Sequence, residues 1–278
     1  MKNQFELAGG SVIGQNHLRV GKNNQDAYFW SVTDTRIVAV VCDGCGSGMH
    51  SEVGAKLGTR MLVDTIQNCL NEDCLNENWH LDDADLWQTI QNQLLNQLQQ
   101  VAEQLGGDRI QTVQDYLLFT ILGVVITSTT TAIFTLGDGV IAINDQRIGL
   151  GPFANNAPPY LAYGLLKQMT SDSFQLKALQ VLPTECLQSV LIGTDGVSDL
   201  MQVAEQSLPG RSEIVGDIAQ FWQDDRYFSN PYQIRRRLSL INRDVKTLDH
   251  HSQQYLRHSG LLPDDTTLIV IRKKEHLC

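Results

Sequence analysis

The sequence predicts an α+β fold on three observations. Strand-like runs cluster between Tyr116 and Asn144, a long amphipathic helical stripe precedes them, and helical segments gather again beyond Asp195. Alternating βαβ units would interleave these periods instead of grouping them. The 278 residues are 42% hydrophobic and 19% charged, which is enough apolar side chain for a sizeable core and too little charge for a disordered chain. No repeat or low-complexity linker divides the chain, so residues 1–278 are expected to form one domain.

Arg36–Cys42 (RIVAVVC) is a β-branched apolar run and predicts a buried strand ending at Asp43-Gly44. After the turn Gly44–Gly48, Ser51 is expected to cap a helix with Val53, Leu57, Met61 and Leu62 at its apolar positions. Asp82, Asp83 and Asp85 suit the positive start of a second helix. Its stripe runs Trp87, Ile90, Leu94, Leu98, Val101 and Leu105, and Gly106-Gly107 ends it. Tyr116–Asn144 reads as three successive strands joined by tight polar turns, with antiparallel neighbours the simplest layout. Gly151–Tyr160 reads as a loop and Cys186–Ile192 as a strand before Thr194-Asp195-Gly196. Three or four helices are expected to fill 197–258 as an elaboration of the domain, interrupted near Pro209-Gly210 and Asn230-Pro231. The run Thr266–Arg272, preceded by Asp264-Asp265, predicts the last strand.

A formal charge of −10 opposes nonspecific attachment to nucleic acid or an anionic membrane. No window reaches the ~18 apolar residues that a membrane-spanning helix needs, and the start Met1-Lys-Asn-Gln-Phe-Glu lacks a secretion signal's apolar core. A cytoplasmic protein with no nucleic-acid or membrane partner is therefore expected. Six cysteines read as reduced thiols. Cys42 and Cys45 have the spacing of a zinc knuckle, but Cys69 and Cys74 do not supply a matching pair.

One pattern carries chemistry. Acidic residues recur at strand ends beside glycine, as Asp43-Gly44, Asp138-Gly139 and Asp195-Gly196, while Asp264-Asp265 abuts the last strand and Asp26 closes Asn-Asn-Gln-Asp. A single Asp-Gly is an ordinary turn dipeptide, and Asp138-Gly139 fits a hairpin. If the strands are neighbours, however, their tips converge, and the clustered carboxylates repel one another unless a cation compensates. Oxygen ligation favours Mg²⁺ or Mn²⁺ over zinc. The glycine after each Asp permits a sharp turn and offers a carbonyl.

Five ordered segments complete the picture: Asn24-Gln25-Asp26-Ala27, Val41-Cys42-Asp43-Gly44 with Gly46, Leu136-Gly137-Asp138-Gly139, Gly193-Thr194-Asp195-Gly196 and Asp264-Asp265-Thr266-Thr267. Together they resemble the metal-dependent serine/threonine protein phosphatases of type 2C, the PPM family, in its divergent bacterial branch. The resemblance implies an αββα sandwich of two antiparallel sheets flanked by helices, with two Mn²⁺ or Mg²⁺ ions in a cleft at the sheet ends. It implies that Asp43 bridges the ions, that the Gly44 carbonyl completes one site, and that Asp195 and Asp264 hold the other. Asp26 would bind directly or through water, Asp138 with Asp195 would hold a third, weaker ion, and Asp265 would support the ligands from behind. The implied reaction is attack of metal-activated water on phosphoserine or phosphothreonine of a phosphoprotein substrate, with no protein nucleophile.

Two positions depart from the family. Gly21 stands where many members carry a phosphate-gripping Arg, leaving Arg19, Lys22 or His17 for that task; a lysine is a point charge and lacks the guanidinium fork. Cys45 stands where better-known members carry a proposed general acid, for which His50 is the substitute considered. These departures leave open a noncatalytic regulatory module that keeps the metal, or a hydrolase of small phosphate esters. Arg235-Arg236-Arg237 reads as a solvated helix face that has the charge to dock an acidic partner.

Overall fold

The continuous apolar runs become strands covered on both sides. In β3 (Arg36–Asp43), Ile37, Ala39 and Val41 point one way and Val38, Val40 and Cys42 the other, all essentially without solvent contact. The first set meets Ile192, Ile269 and Ile271 of a second sheet, and the second set meets helices. The computed structural model describes residues 1–71, 79–154, 157–166, 174–249 and 253–274.

One antiparallel sheet has the order β1 (Phe5–Val12), β12 (Thr266–Lys273), β9 (Ser189–Gly193), β6 (Gly139–Ile143), β7 (Gln146–Leu150). The other has the order β2 (Asp26–Val32), β3, β4 (Ile121–Thr127), β5 (Thr130–Leu136), β8 (Lys177–Pro183). A short helix α1 (Gln15–Val20) joins β1 to β2. Over the β2–β8 sheet lie α2 (Ser51–Cys69) and α3 (Ala84–Leu105), with Leu62, Ile66, Ile90 and Leu94 wholly buried. The single turn α4 (Arg109–Thr112) follows α3. Truncating one of those buried side chains to Ala should cost about 2–5 kcal/mol. Against the other sheet pack α5 (Gly196–Gln202), α6 (Gln220–Gln223), α7 (Arg226–Ser229) and α8 (Gln233–Ile241), through Leu200, Phe221, Tyr227 and Leu238. The result is the αββα arrangement. No described helix is long and apolar enough to cross a membrane.

Several expectations need correction. The three strands of 116–144 are not one meander: β4 and β5 pair, but β6 leaves for the other sheet and joins β9. Asp138-Gly139 is therefore a crossing between sheets and not a hairpin turn. Tyr116 and Leu117 do not open a strand but end a π turn, Val113–Leu117, over α2. Ser51 does not cap α2; its hydroxyl accepts a hydrogen bond from Gln25 Nε2 (2.7 Å), and His50 holds the N-cap position. Residues 197–258 are not all helical, because Val245–Asp249 (β10) and Gln254–His258 (β11) pair as a separate antiparallel ribbon. The region after Asn144 also holds β7 and β8, which the sequence does not announce. Among the described residues Cys42, Cys45 and Cys186 are free thiols; Cys74 and Cys278 lie outside the described residues.

Candidate metal centre

Register brings the acidic positions together. Asp26 opens β2 directly opposite Asp43, which closes β3. In the other sheet Gly193 of β9 pairs with both Val140 of β6 and Leu268 of β12, so Asp138, Asp195 and Asp264 emerge at one end of adjacent strands. A cleft of about 470 Å³ opens there, lined by His17, Asp43, Asp138, Asp195, Asp264 and Tyr160 among others.

Burial and mutual repulsion set the electrostatics. Asp26 is 4% exposed; its Oδ2 accepts a hydrogen bond from Thr194 Oγ1 (2.7 Å), while its Oδ1 is buried with no hydrogen-bond partner. Burial, then the charge of Asp265, pushes the Asp26 carboxyl well above the carboxylate range despite the threonine bonds. Burial, then Asp26, Asp195 and Asp264, does the same to Asp43. Asp195 is pushed up to about 7, by burial first and the Asp264 and Asp138 charges next. Burial also raises Asp138.

Asp265 ties the site to its frame. It is 2% exposed; Gly14 N donates to its Oδ1 and Gln25 N to its Oδ2, both at 2.6 Å. Such charge-assisted bonds are stronger than neutral ones. His17 Nδ1 lies 2.9 Å from Asp265 Oδ2, off the line of a hydrogen bond. The fit around this residue leaves no room for side chains. A Cβ on Gly14 would stand 2.3 Å from the Asp264 carbonyl carbon, and one on Gly196 only 2.0 Å from the Asp265 carbonyl oxygen.

Other predicted positions separate. Gly44 lines the cleft beside Asp43, its N–H donating to the Gln25 carbonyl. Lys22 Nζ is bonded to the carbonyl of Gly46 (2.6 Å) at the cleft rim. Arg19 is exposed on α1 and its charge acts on Asp244, away from the cleft lining. His50 is also outside that lining. Its N–H is pinned to the Asp115 carbonyl and its ring packs on Tyr116, with centroids 5.1 Å apart. No Arg lines the cleft among the described residues.

Sequence reasoning missed Tyr160 and Tyr163, which form a wall of the cleft. They sit in and just after a stretch with no periodicity, so no signal marked them. Cys45 faces Tyr160. Burial alone would raise this thiol, but hydrogen bonds from Ser47, Tyr160 and the Ser47 and Gly48 backbone bring it below its ordinary value. The same contact, after burial, raises the Tyr160 phenol.

The donor set fits a hard divalent cation. It is almost all oxygen, a buried carboxylate oxygen lacks a partner, and the repulsion that raises Asp26, Asp43 and Asp195 is what a cation relieves. One ligand atom each of His17, Asp264 and Asp265 lie within 4.8 Å of one another; Asp43 and Asp195 stand in the same cleft outside that group. Each Asp265 oxygen already accepts one backbone bond.

The family model for protein phosphatase 2C matches residues 13–233. No curated protein matches the chain. Among solved structures, PppA, a key regulatory component of T6SS in Pseudomonas aeruginosa, is 16% identical with TM-score 0.55, covering 97% of this chain and 98% of its own. Serine/threonine phosphatase Stp1 from Staphylococcus aureus is 15% identical with TM-score 0.55, covering 98% and 96%. A bacterial serine phosphatase is 13% identical with TM-score 0.53, covering 99% and 100%. At these identities the likeness is one of fold.

Proposed function

The chain belongs to the protein phosphatase 2C family, and we propose that it hydrolyses phosphoserine and phosphothreonine in proteins, with two Mn²⁺ or Mg²⁺ ions as cofactors. The observation that carries this reading is the meeting of Asp43, Asp138, Asp195 and Asp264 on one cleft beside the unpartnered Asp26 Oδ1. Asp43, the Gly44 carbonyl, Asp195, Asp264 and Asp26 would hold the ions, with Asp138 and Asp195 available to a third. When bound, the ions supply a water-derived nucleophile near neutral pH and offset charge on the phosphoryl oxygens.

The chain's own residues do the rest. Thr194 Oγ1 holds Asp26 in one orientation. Asp265 fixes the Gly14 and Gln25 backbone, and with it His17 over the cleft. His17, which lines the cleft, would hold a phosphoryl oxygen, and Lys22 braces Gly46 at the rim. Tyr160, kept protonated by burial, holds a hydrogen-bond donor at Cys45. Tyr160 and Tyr163 close one wall against water.

A second reading is a noncatalytic metal-binding regulatory module, favoured by the lack of any Arg among the described cleft residues. Phosphate release from a phosphothreonine peptide separates the two. The enzyme should require Mn²⁺ or Mg²⁺, stop on EDTA addition and be inactive as Asp195→Asn. Metal binding without turnover of either the peptide or para-nitrophenyl phosphate would establish the regulatory module. Turnover of the small ester alone would establish a small-ester hydrolase.

A further inference from the structure

The surface formed by α8 and the β10–β11 ribbon opposes the rest of the chain in charge. Residues 235–246 contain five basic residues and one acidic residue, in a protein of net charge −10. Arg237 is committed to Glu213 and Arg257 to Asp244. Arg211, Arg235, Arg236, Arg243 and Lys246 are exposed and form no ion pair among the described residues. Two contacts tie the Arg237 side of α8 to the ribbon, while Arg235 sits on the other flank of the helix, its backbone against Gly10 and its charge acting on Tyr28. Arg237 donates to the carbonyls of Ile214 and Val215, and a Cβ on Gly210 would stand 2.9 Å from Val245 Cγ1.

Large apolar side chains are exposed among these cations: Ile214 49%, Tyr232 66%, Leu248 42%, Tyr255 74% and Leu256 49%. On the outer face of the ribbon Lys246 lies opposite Arg257 and Leu248 opposite Tyr255. A concavity of about 700 Å³ beside it is lined by Ser207, Arg211, Ser212, Thr247, His258 and Ser259 with leucines below. Unpaired Arg interleaved with Tyr and Leu is the composition of a protein interface and not of a merely solvated face. The surface also reaches the catalytic end. Asn242, at the α8–β10 corner, donates to the Ile13 carbonyl (2.6 Å) and accepts from Gln15 Nε2 (2.7 Å), on either side of the Gly14 that binds Asp265.

Building on the phosphatase reading, we propose that this surface docks an acidic segment of the phosphoprotein substrate, presenting the phosphorylated residue to the cleft. Carboxylates match the unpaired cations, and apolar residues between them match Leu248, Tyr255 and Leu256. A protein segment fits better than nucleic acid, whose charge extends past the patch onto a strongly acidic remainder.

Binding and turnover test it separately on the full chain. A fluorescein-labelled, unphosphorylated peptide rich in Glu and Leu should bind, with affinity falling as salt rises. The triple variant Arg235→Glu, Arg236→Glu, Lys246→Glu should weaken binding at least about tenfold, as removal of several charge contacts does. Lys56→Glu, an exposed charge reversal on α2, should leave it unchanged. The triple variant should raise KM for a phosphopeptide with an acidic flank and leave para-nitrophenyl phosphate turnover as it was. Peptide binding without any phosphatase turnover would sink the enzyme reading alone. Unchanged affinity in the triple variant, or tighter capture of a single-stranded oligonucleotide than of the peptide, would overturn the docking surface.

Discussion

Asp26 and Asp43 face each other across a single rung of the β2–β3 ladder. Like charges directly opposite in a sheet are destabilising, and here the buried Asp26 and the half-buried Asp43 at the cleft are both pushed upward. This strained pair makes the cleft receptive to a cation and penalises the metal-free protein as pH rises.

Without metal, the raised carboxyls should weaken the fold as pH increases. Asp195 titrates at about 7 in the folded chain, against about 3.9 for an unfolded aspartate. The folded state keeps a proton that the unfolded chain has lost, so this stabilisation is full below pH ~4 and fades as pH rises towards 7. In EDTA, Asp195→Asn should therefore gain on the native sequence by about 1–3 kcal/mol between pH 5 and pH 7.5. Urea unfolding at both pH values measures it; a constant difference refutes the argument.

Divalent-ion affinity should follow the same protons in the opposite sense. Calorimetric Mn²⁺ affinity should strengthen from pH 5.5 to 7.5, with protons released on binding. Asp43→Asn should remove most of it while making the EDTA-treated protein harder to unfold, because the opposed charges are gone.

Thr194→Val tests the support behind Asp26. It deletes the 2.7 Å bond to Asp26 Oδ2 and leaves Thr267 N without its acceptor. Mn²⁺ affinity should fall about 10–100-fold, as for lost partners of ligand groups, with a loss of about 1–3 kcal/mol in stability. Unaltered affinity would show that the hydroxyl does not orient the carboxylate.

Asp265→Ala should be costly even without metal. It strands the Gly14 and Gln25 N–H groups in a buried place, a loss of about 3–5 kcal/mol. Asp265→Asn keeps an acceptor and should lose less; equal losses would mean that bulk, and not charge-assisted bonding, is what matters.

Cys45 should be alkylated by iodoacetamide near neutral pH well before Cys42, whose thiol is raised by burial first and by Asp43 and Asp26 next. Tyr160→Phe should slow the reaction at Cys45 by removing one hydrogen bond. Peptide mapping by mass spectrometry reads both, and preferential labelling of Cys42 would reverse the electrostatic account.

The parts of the fold legible in the sequence are those whose burial is complete. The apolar run of β3 and the stripe of α3 print their environments directly, because both faces of one and a broad stripe of the other are covered. β8 alternates between exposed and half-covered, and β11 is almost wholly exposed. Neither has enough buried surface to impose a period, so the β10–β11 region reads as helix. The acidic tips are legible through their repeated glycines. Their support is not: the bonds from Asp265 to Gly14 and Gln25 span 251 and 240 positions, and Tyr160 enters the cleft from a stretch with no pattern.

The pairing of β1 with β12 sets the order in which the molecule can be completed. Phe5 is registered with Lys273 and Val12 with Thr266, and β12 also separates β1 from β9. During synthesis β1 must wait, unpaired, while more than two hundred residues emerge, and closing so long a loop is entropically slow. Asp264 and Asp265 arrive immediately ahead of the strand that ends this wait. A nascent chain is thereby denied a finished acidic cleft until its last sheet zips shut.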